Sequence, residues 1–144
     1  ENRIRITGVA GSFAAGSFSR IEITGLGGND TIDASIATVP VTVDAGAGND
    51  FVLGGAADDT LVGGVGHDTL FGGNGQDRLE GGDGGDYLNG GPGGDTIFGG
   101  AGNDQVLSTD ALYDYIDLGA GYDRGRGDAV DELLNGEATI QLLA

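Results

Sequence analysis

The chain has no cysteine, which rules out disulfides and thiolate metal sites and leaves the redox compartment unreadable from that residue. Positive charge is also scarce: 6 Lys and Arg stand against 23 Asp and Glu, for a formal charge of −17. Such a chain would repel nucleic-acid phosphates and is suited to cations. No apolar run approaches the roughly 18 residues of a membrane span. The sequence opens on Glu1, with neither an initiator Met nor a signal-like segment, and so reads as a fragment or processed product of a larger parent. Its glycine runs carry no G-x-x-x-x-G-K-[ST] string, which argues against a phosphate-binding loop, and no D-x-[DN]-x-[DN]-G string points to an EF-hand. Acidic pairs such as Asp58-Asp59 have no Ser or His placed with them as a nucleophile relay. The reading is non-catalytic.

What the chain does have is glycine and a period. It holds 144 residues, enough for one domain, and 32 of them are glycine. From Ala45 to Leu107 a nonapeptide runs seven times without a gap: AGAGNDFVL, GGAADDTLV, GGVGHDTLF, GGNGQDRLE, GGDGGDYLN, GGPGGDTIF, GGAGNDQVL. The sixth letter is always Asp and the eighth always Val, Leu or Ile. Outlying copies stand at 25–33 (GLGGNDTID) and 118–126 (LGAGYDRGR). Letters one to six suit a turn with positive φ angles. Letters seven to nine, with an apolar centre, suit a very short strand. A strand that short needs the equivalent strands of other repeats beside it. Two repeats therefore make an 18-residue coil, and stacked coils make two parallel sheets facing each other. The eighth letters, Ile32, Val52, Leu61, Leu70, Leu79, Leu88, Ile97 and Val106, fill the space between the sheets.

The aspartates need a different partner. Coils stack about 4.8 Å apart, which brings carboxylates two repeats apart nearly into register. Two bare charges at ~5 Å repel by ~0.8 kcal/mol in water and several times more at an effective dielectric of 20. A cation between the rungs relieves this. Carboxylate and carbonyl oxygens, six to eight together, suit Ca²⁺ better than the tight octahedron of Mg²⁺.

These residues resemble the RTX (repeats-in-toxin) nonapeptide GGxGxDxUx, strongly over 45–107 and with gaps over 25–126. The resemblance implies an all-β fold, a right-handed parallel β-roll with non-repeat caps. It implies Ca²⁺ between turns two repeats apart, with each position-six Asp bridging the ions on either side. The side-chain ligands it implies are Asp50, Asp59, Asp68, Asp77, Asp86, Asp95 and Asp104, with Asp30 and Asp123 at the ends. Turn carbonyls complete the shells: Gly46 and Gly48; Gly54 and Gly55; Gly63, Gly64, Val65 and Gly66; Gly72, Gly73, Asn74 and Gly75; Gly81, Gly82, Asp83 and Gly84; Gly90, Gly91, Pro92 and Gly93; Gly99, Gly100, Ala101 and Gly102. Ala57 replaces the fourth glycine of its turn, and Ala45 and Leu118 replace the first of theirs, so weaker binding is expected there.

Counting fixes the outlying copies. Asp30 to Asp50 is 20 residues and Asp104 to Asp123 is 19, so each interval hides an irregular turn on the opposite edge. Upstream that turn is 34–41, without a carboxylate and without an expected ion; downstream it is 108–114, with Asp114 in the position-six place. One edge then carries five gaps between aspartates and the other two, which gives about seven ions, with Asp114 offering an eighth.

Residues 1–24 are expected to cap the roll, with IRIT and RIEIT as strands continuing the stack and a loop bringing Phe13 and Phe18 over its open end. Residues 127–144 are expected to cap the other end, AVDELL as a helical turn and ATIQLL as a strand. The roll itself spans 25–126. His67, at a variable turn position, reads as a solvated residue. Outward strand positions place Phe51, Leu53, Phe71, Tyr87 and Leu107 on one face and Thr60, Val62, Arg78, Glu80, Thr96 and Phe98 on the other. These are either ordinary exposed residues or an apolar patch for a neighbouring domain, a protein partner or a second copy. Two functions stay open. One is a module of a secreted protein that folds on calcium outside the cell. The other is an adhesin or surface-layer segment presenting a recognition face.

Overall fold

The computed structural model describes residues 5–7, 19–129, 131–135 and 139–143, the first and last stretches as backbone only. Fifteen strands, and no helix, occur among the described residues. They are β1 (Arg5–Thr7), β2 (Ile21–Thr24), β3 (Thr31–Asp33), β4 (Val41–Ala47), β5 (Phe51–Leu53), β6 (Thr60–Val65), β7 (Thr69–Phe71), β8 (Arg78–Asp83), β9 (Tyr87–Asn89), β10 (Thr96–Ala101), β11 (Gln105–Leu107), β12 (Tyr115–Asp117), β13 (Arg124–Asp128), β14 (Glu132–Leu134) and β15 (Thr139–Leu143). One sheet runs β1-β2-β4-β6-β8-β10-β12-β14 and the other β3-β5-β7-β9-β11-β13-β15. This is a parallel β-solenoid in which each strand from β2 onward pairs with the strand one coil away.

The register follows the period. Leu61 stands beside Leu79 and Leu79 beside Ile97, while Leu70 stands beside Leu88. Ile32 pairs with Val52 and Ile97 with Ile116, so the irregular intervals are absorbed in the turns. A one-residue slip would turn each aliphatic outward. All eight predicted core residues are buried, none more than 2% exposed, and Val43 and Ile116 join them. Val41 enters β4 where a position-six Asp would stand.

The ends differ from expectation in two places. β1 pairs antiparallel with β2, Ile6 opposite Ile23, so Arg5–Thr7 widen the sheet without continuing the parallel stack. The loop with Phe13 and Phe18 lies outside the described residues. Where a helical turn was expected in AVDELL, Glu132–Leu134 form strand β14 instead, parallel to β12 with Leu133 beside Ile116. Helix propensity is a weak prior that tertiary context overrides, and here an exposed parallel edge offers partners to the backbone of Glu132–Leu134. In ATIQLL, Thr139–Leu143 form β15 against β13, a strand as expected.

The outward positions fall on the outer faces as expected. Phe51, Phe71 and Tyr87 make a row with ring centroids 5.9 and 5.7 Å apart. On the opposite face the Arg78 guanidinium lies 4.4 Å from the Phe98 ring centre, a cation–π contact.

Candidate metal centre

The sixth residue of each turn lies at a corner, where its N–H has no strand partner. The carboxylate of the next coil accepts it. On the first edge Asp30, Asp50, Asp68, Asp86 and Asp104 each donate their N–H to Oδ1 of the following position-six Asp, at 2.7–2.9 Å. On the second edge Val41, Asp59, Asp77 and Asp95 donate in the same way to Asp59, Asp77, Asp95 and Asp114, at 2.6–2.9 Å. Charge-assisted bonds of this kind are stronger than neutral ones, and they fix each carboxylate across two coils.

The second carboxylate oxygen is treated differently. Oδ2 of Asp30, Asp50, Asp68, Asp77, Asp86, Asp95, Asp104 and Asp123 is buried with no hydrogen-bond partner. Leaving one buried acceptor unsatisfied costs about 1–3 kcal/mol, more when it is charged. Eight such costs are comparable to the whole net stability of a domain, about 5–15 kcal/mol. These oxygens need a positive partner.

The gap between turns 63–68 and 81–86 shows what surrounds one of them. Asp68 Oδ2 and Gly81 O lie 2.5 and 2.7 Å from the point that a Cβ on Gly63 would take. The carbonyl oxygens of Gly64 and Gly66 face forward, 2.0 and 1.6 Å from the points that a Cβ on Gly82 and on Gly84 would take. Gly82 and Gly84 have φ of 110° and 138°, a left-handed backbone that admits this approach because glycine has no Cβ. Asp83 O faces back and accepts the Gly66 N–H at 2.8 Å. Asp86 Oδ1 faces back as well, holding the Asp68 N–H. Six oxygens, four of them neutral carbonyls, therefore border one gap. That set suits Ca²⁺ in number and hardness. No three His, Cys, Asp or Glu side chains gather into a metal cluster among the described residues, so a cation here depends on the backbone carbonyls.

Electrostatics shows the same strain. Burial pushes the Asp77 carboxyl up to about 7, against the ordinary 3.8, despite the lowering effect of the Asp59 N–H. Burial likewise raises Asp86, Asp95 and Asp114 to about 6. Asp68 and Asp104 are raised for the same reason. Neighbouring carboxylates one coil away add to the rise at Asp77, Asp86, Asp95 and Asp104.

Two position-six aspartates have no open oxygen. Asp59 Oδ2 accepts the Gly55 N–H at 2.5 Å, in the turn where Ala57 replaces glycine. Asp114 Oδ2 accepts the Ser108 hydroxyl at 2.5 Å. Asp110 takes the Gly93 N–H through its side chain at 2.7 Å, a role that the carbonyl of Asp83 plays toward Gly66. The expectation of an irregular turn at 108–114 is thus given a concrete form.

One ladder member was not foreseen. Asp131 Oδ1 accepts the Asp114 N–H at 3.1 Å, and its Oδ2 accepts the Asp128 N–H at 2.5 Å. Its signal in the sequence is the Asp131-Glu132-Leu133 triplet, which keeps the carboxylate and the aliphatic residue two places apart.

His67 belongs to a separate surface ladder. Its N–H donates to Asn49 Oδ1 at 2.9 Å, and its Nδ1 accepts the Gly85 N–H at 2.8 Å. Asn29 and Asn103 serve Asn49 and Tyr122 in the same way. The exposed imidazole thus serves as a backbone acceptor within that ladder.

The family description "RTX calcium-binding nonapeptide repeat" matches the chain in four copies, over residues 22–36, 42–70 and 71–106. No curated protein and no solved structure matches it.

Proposed function

Because the chain belongs to the RTX calcium-binding nonapeptide-repeat family, we propose that it is a non-catalytic module that folds on calcium as part of a larger secreted protein. The observation that carries this reading is the set of eight buried Oδ2 atoms without a donor. Bound Ca²⁺ would supply the positive charge that these atoms lack. The chain's part is to hold the oxygens of successive turns facing one another. The unfolded chain has no such arrangement, so metal binding becomes folding free energy. Kept open by its own charge where calcium is scarce, the chain would leave the cell unfolded and close outside, as substrates of type I secretion do.

We place ions in the five first-edge gaps between Asp30, Asp50, Asp68, Asp86, Asp104 and Asp123. We place two more on the second edge, between Asp77 and Asp95 and between Asp95 and Asp114, for seven in all, and leave out the gap between Asp59 and Asp77 that the sequence count included. Asp114 contributes through Oδ1, and Asp59, already tied to Gly55, closes that column. Residues 1–24 and 127–144 flank the ion stack in this reading.

Acid should partly replace calcium. Asp77, Asp86, Asp95 and Asp114 have folded values raised from 3.8 to about 6–7. A raised folded value means that the roll binds protons more tightly than the unfolded chain does. The resulting stability is fully present below about 3.8 and is lost as pH rises through about 6–7. In calcium-free buffer the far-UV strand signal should therefore grow as pH falls from 7.5 to 4. Over the same range the difference made by added calcium should shrink. An equal calcium effect at both ends of that range would count against buried carboxylates as the calcium-dependent element.

A further inference from the structure

We propose that Ser108 is a neutral plug that ends the second column of ions. The inference rests on the calcium reading above and concerns where the column stops. All six position-six aspartates of the first edge, Asp30 through Asp123, have an open Oδ2. On the second edge only Asp77 and Asp95 do. The carboxylates flanking them are closed by neutral donors of this chain, Asp59 by the Gly55 N–H and Asp114 by the Ser108 hydroxyl.

Ser108 occupies the first place of its turn. Its N–H donates to Arg126 O, as the N–H groups of Gly72 and Gly90 donate to Asn89 and Leu107 one coil on. In the unbroken second-edge repeats that place is glycine (Gly54, Gly72, Gly90). A side chain there does not by itself close the carboxylate. Ala45 stands first in its own turn, and Asp50 Oδ2 remains without a partner. The hydroxyl makes the difference. Ser108 is 1% and Asp114 0% exposed, so the proton donated by Oγ satisfies an oxygen that water does not reach. The next gap would otherwise invite an ion, because Asp131 Oδ1 stands across it at the Asp114 N–H. A hydroxyl in the place of a cation settles the last carboxylate of the column without metal and leaves β14 to stack on a metal-free coil.

The test counts calcium ions per chain, by native mass spectrometry and by equilibrium dialysis, in the native protein and in Ser108→Gly, Ser108→Ala and Ser108→Thr. Glycine restores the ordinary letter of the repeat, so folding of that variant is expected. Ser108→Gly and Ser108→Ala should each bind one ion more than the native chain. Ser108→Thr keeps the hydroxyl and should bind the native number. An unchanged count in both Ser108→Gly and Ser108→Ala overturns the plug, and one ion fewer would make Ser108 a ligand instead. A native chain that binds no calcium in the same dialysis would remove the calcium reading itself, an outcome distinct from failure of the plug.

Discussion

In calcium-free buffer at pH 7.5 the chain should show little strand signal and an expanded radius, and millimolar calcium should convert it cooperatively to the roll. The expectation follows from opposing terms of known sign. Ordering each residue costs about 1–2 kcal/mol of backbone entropy, and 32 glycines place this chain at the costly end. A charge of −17 opposes compaction further. The interior that must offset these costs is one narrow file of aliphatics from Ile23 to Leu118, with 15 buried hydrophobic residues among those described. The eight donorless carboxylate oxygens worsen the balance until a cation meets them. Each coil binds against its neighbours, so the transition should be steep. Circular dichroism and small-angle scattering across a calcium titration measure both parts. A spectrum and radius indifferent to calcium would mean that the aliphatic file is sufficient by itself.

The second large effect is expected from Asp86→Ala. Asp86 Oδ1 holds the Asp68 N–H toward one gap, and Asp86 Oδ2 is open toward the next, beside the point where a Cβ on Gly81 would meet Gly99 O at 2.5 Å. One substitution therefore removes an oxygen from two gaps and leaves a buried N–H unpaired, at about 1–3 kcal/mol before any loss of metal. The calcium midpoint should rise severalfold, and about two ions should be lost from the count. His67→Ala is the control. It deletes an exposed acceptor of the Gly85 N–H, worth about 1 kcal/mol or less, and should move the midpoint far less. Equal shifts in the two variants would show that the aspartate ladder holds the roll together no better than the surface ladder does.

The centre of the molecule was legible because nine is a short period repeated seven times without a gap. Asp at six and an aliphatic at eight dictate both a corner and an inward side chain. The burial of Leu61, Leu70, Leu79 and Leu88 follows from that spacing. The irregular intervals were also readable, since two fixed aspartates bracket each of them and leave only the turn to absorb the surplus. What escaped was anything that depends on a neighbour beyond the repeat. AVDELL suggests a helical turn when read alone, whereas the open edge of β12 offers strand partners to Glu132–Leu134. Asp131 escaped with it. The antiparallel sense of β1 against β2 has no counterpart in the repeat. The closed oxygens of Asp59 and Asp114 depend on which way an N–H or a hydroxyl points, and composition carries no trace of that.

The central claim is that successive turns hold calcium between the open Oδ2 of one aspartate and the Oδ1 of the next. The most direct test is an anomalous difference map from crystals grown in calcium, in the gap between turns 63–68 and 81–86. A peak within coordination distance of both Asp68 Oδ2 and Asp86 Oδ1, about 2.3–2.6 Å, repeated in each of the seven proposed gaps, is the predicted result. Density confined to the outer surface, with the buried Oδ2 atoms bonded to water or to one another, would contradict it.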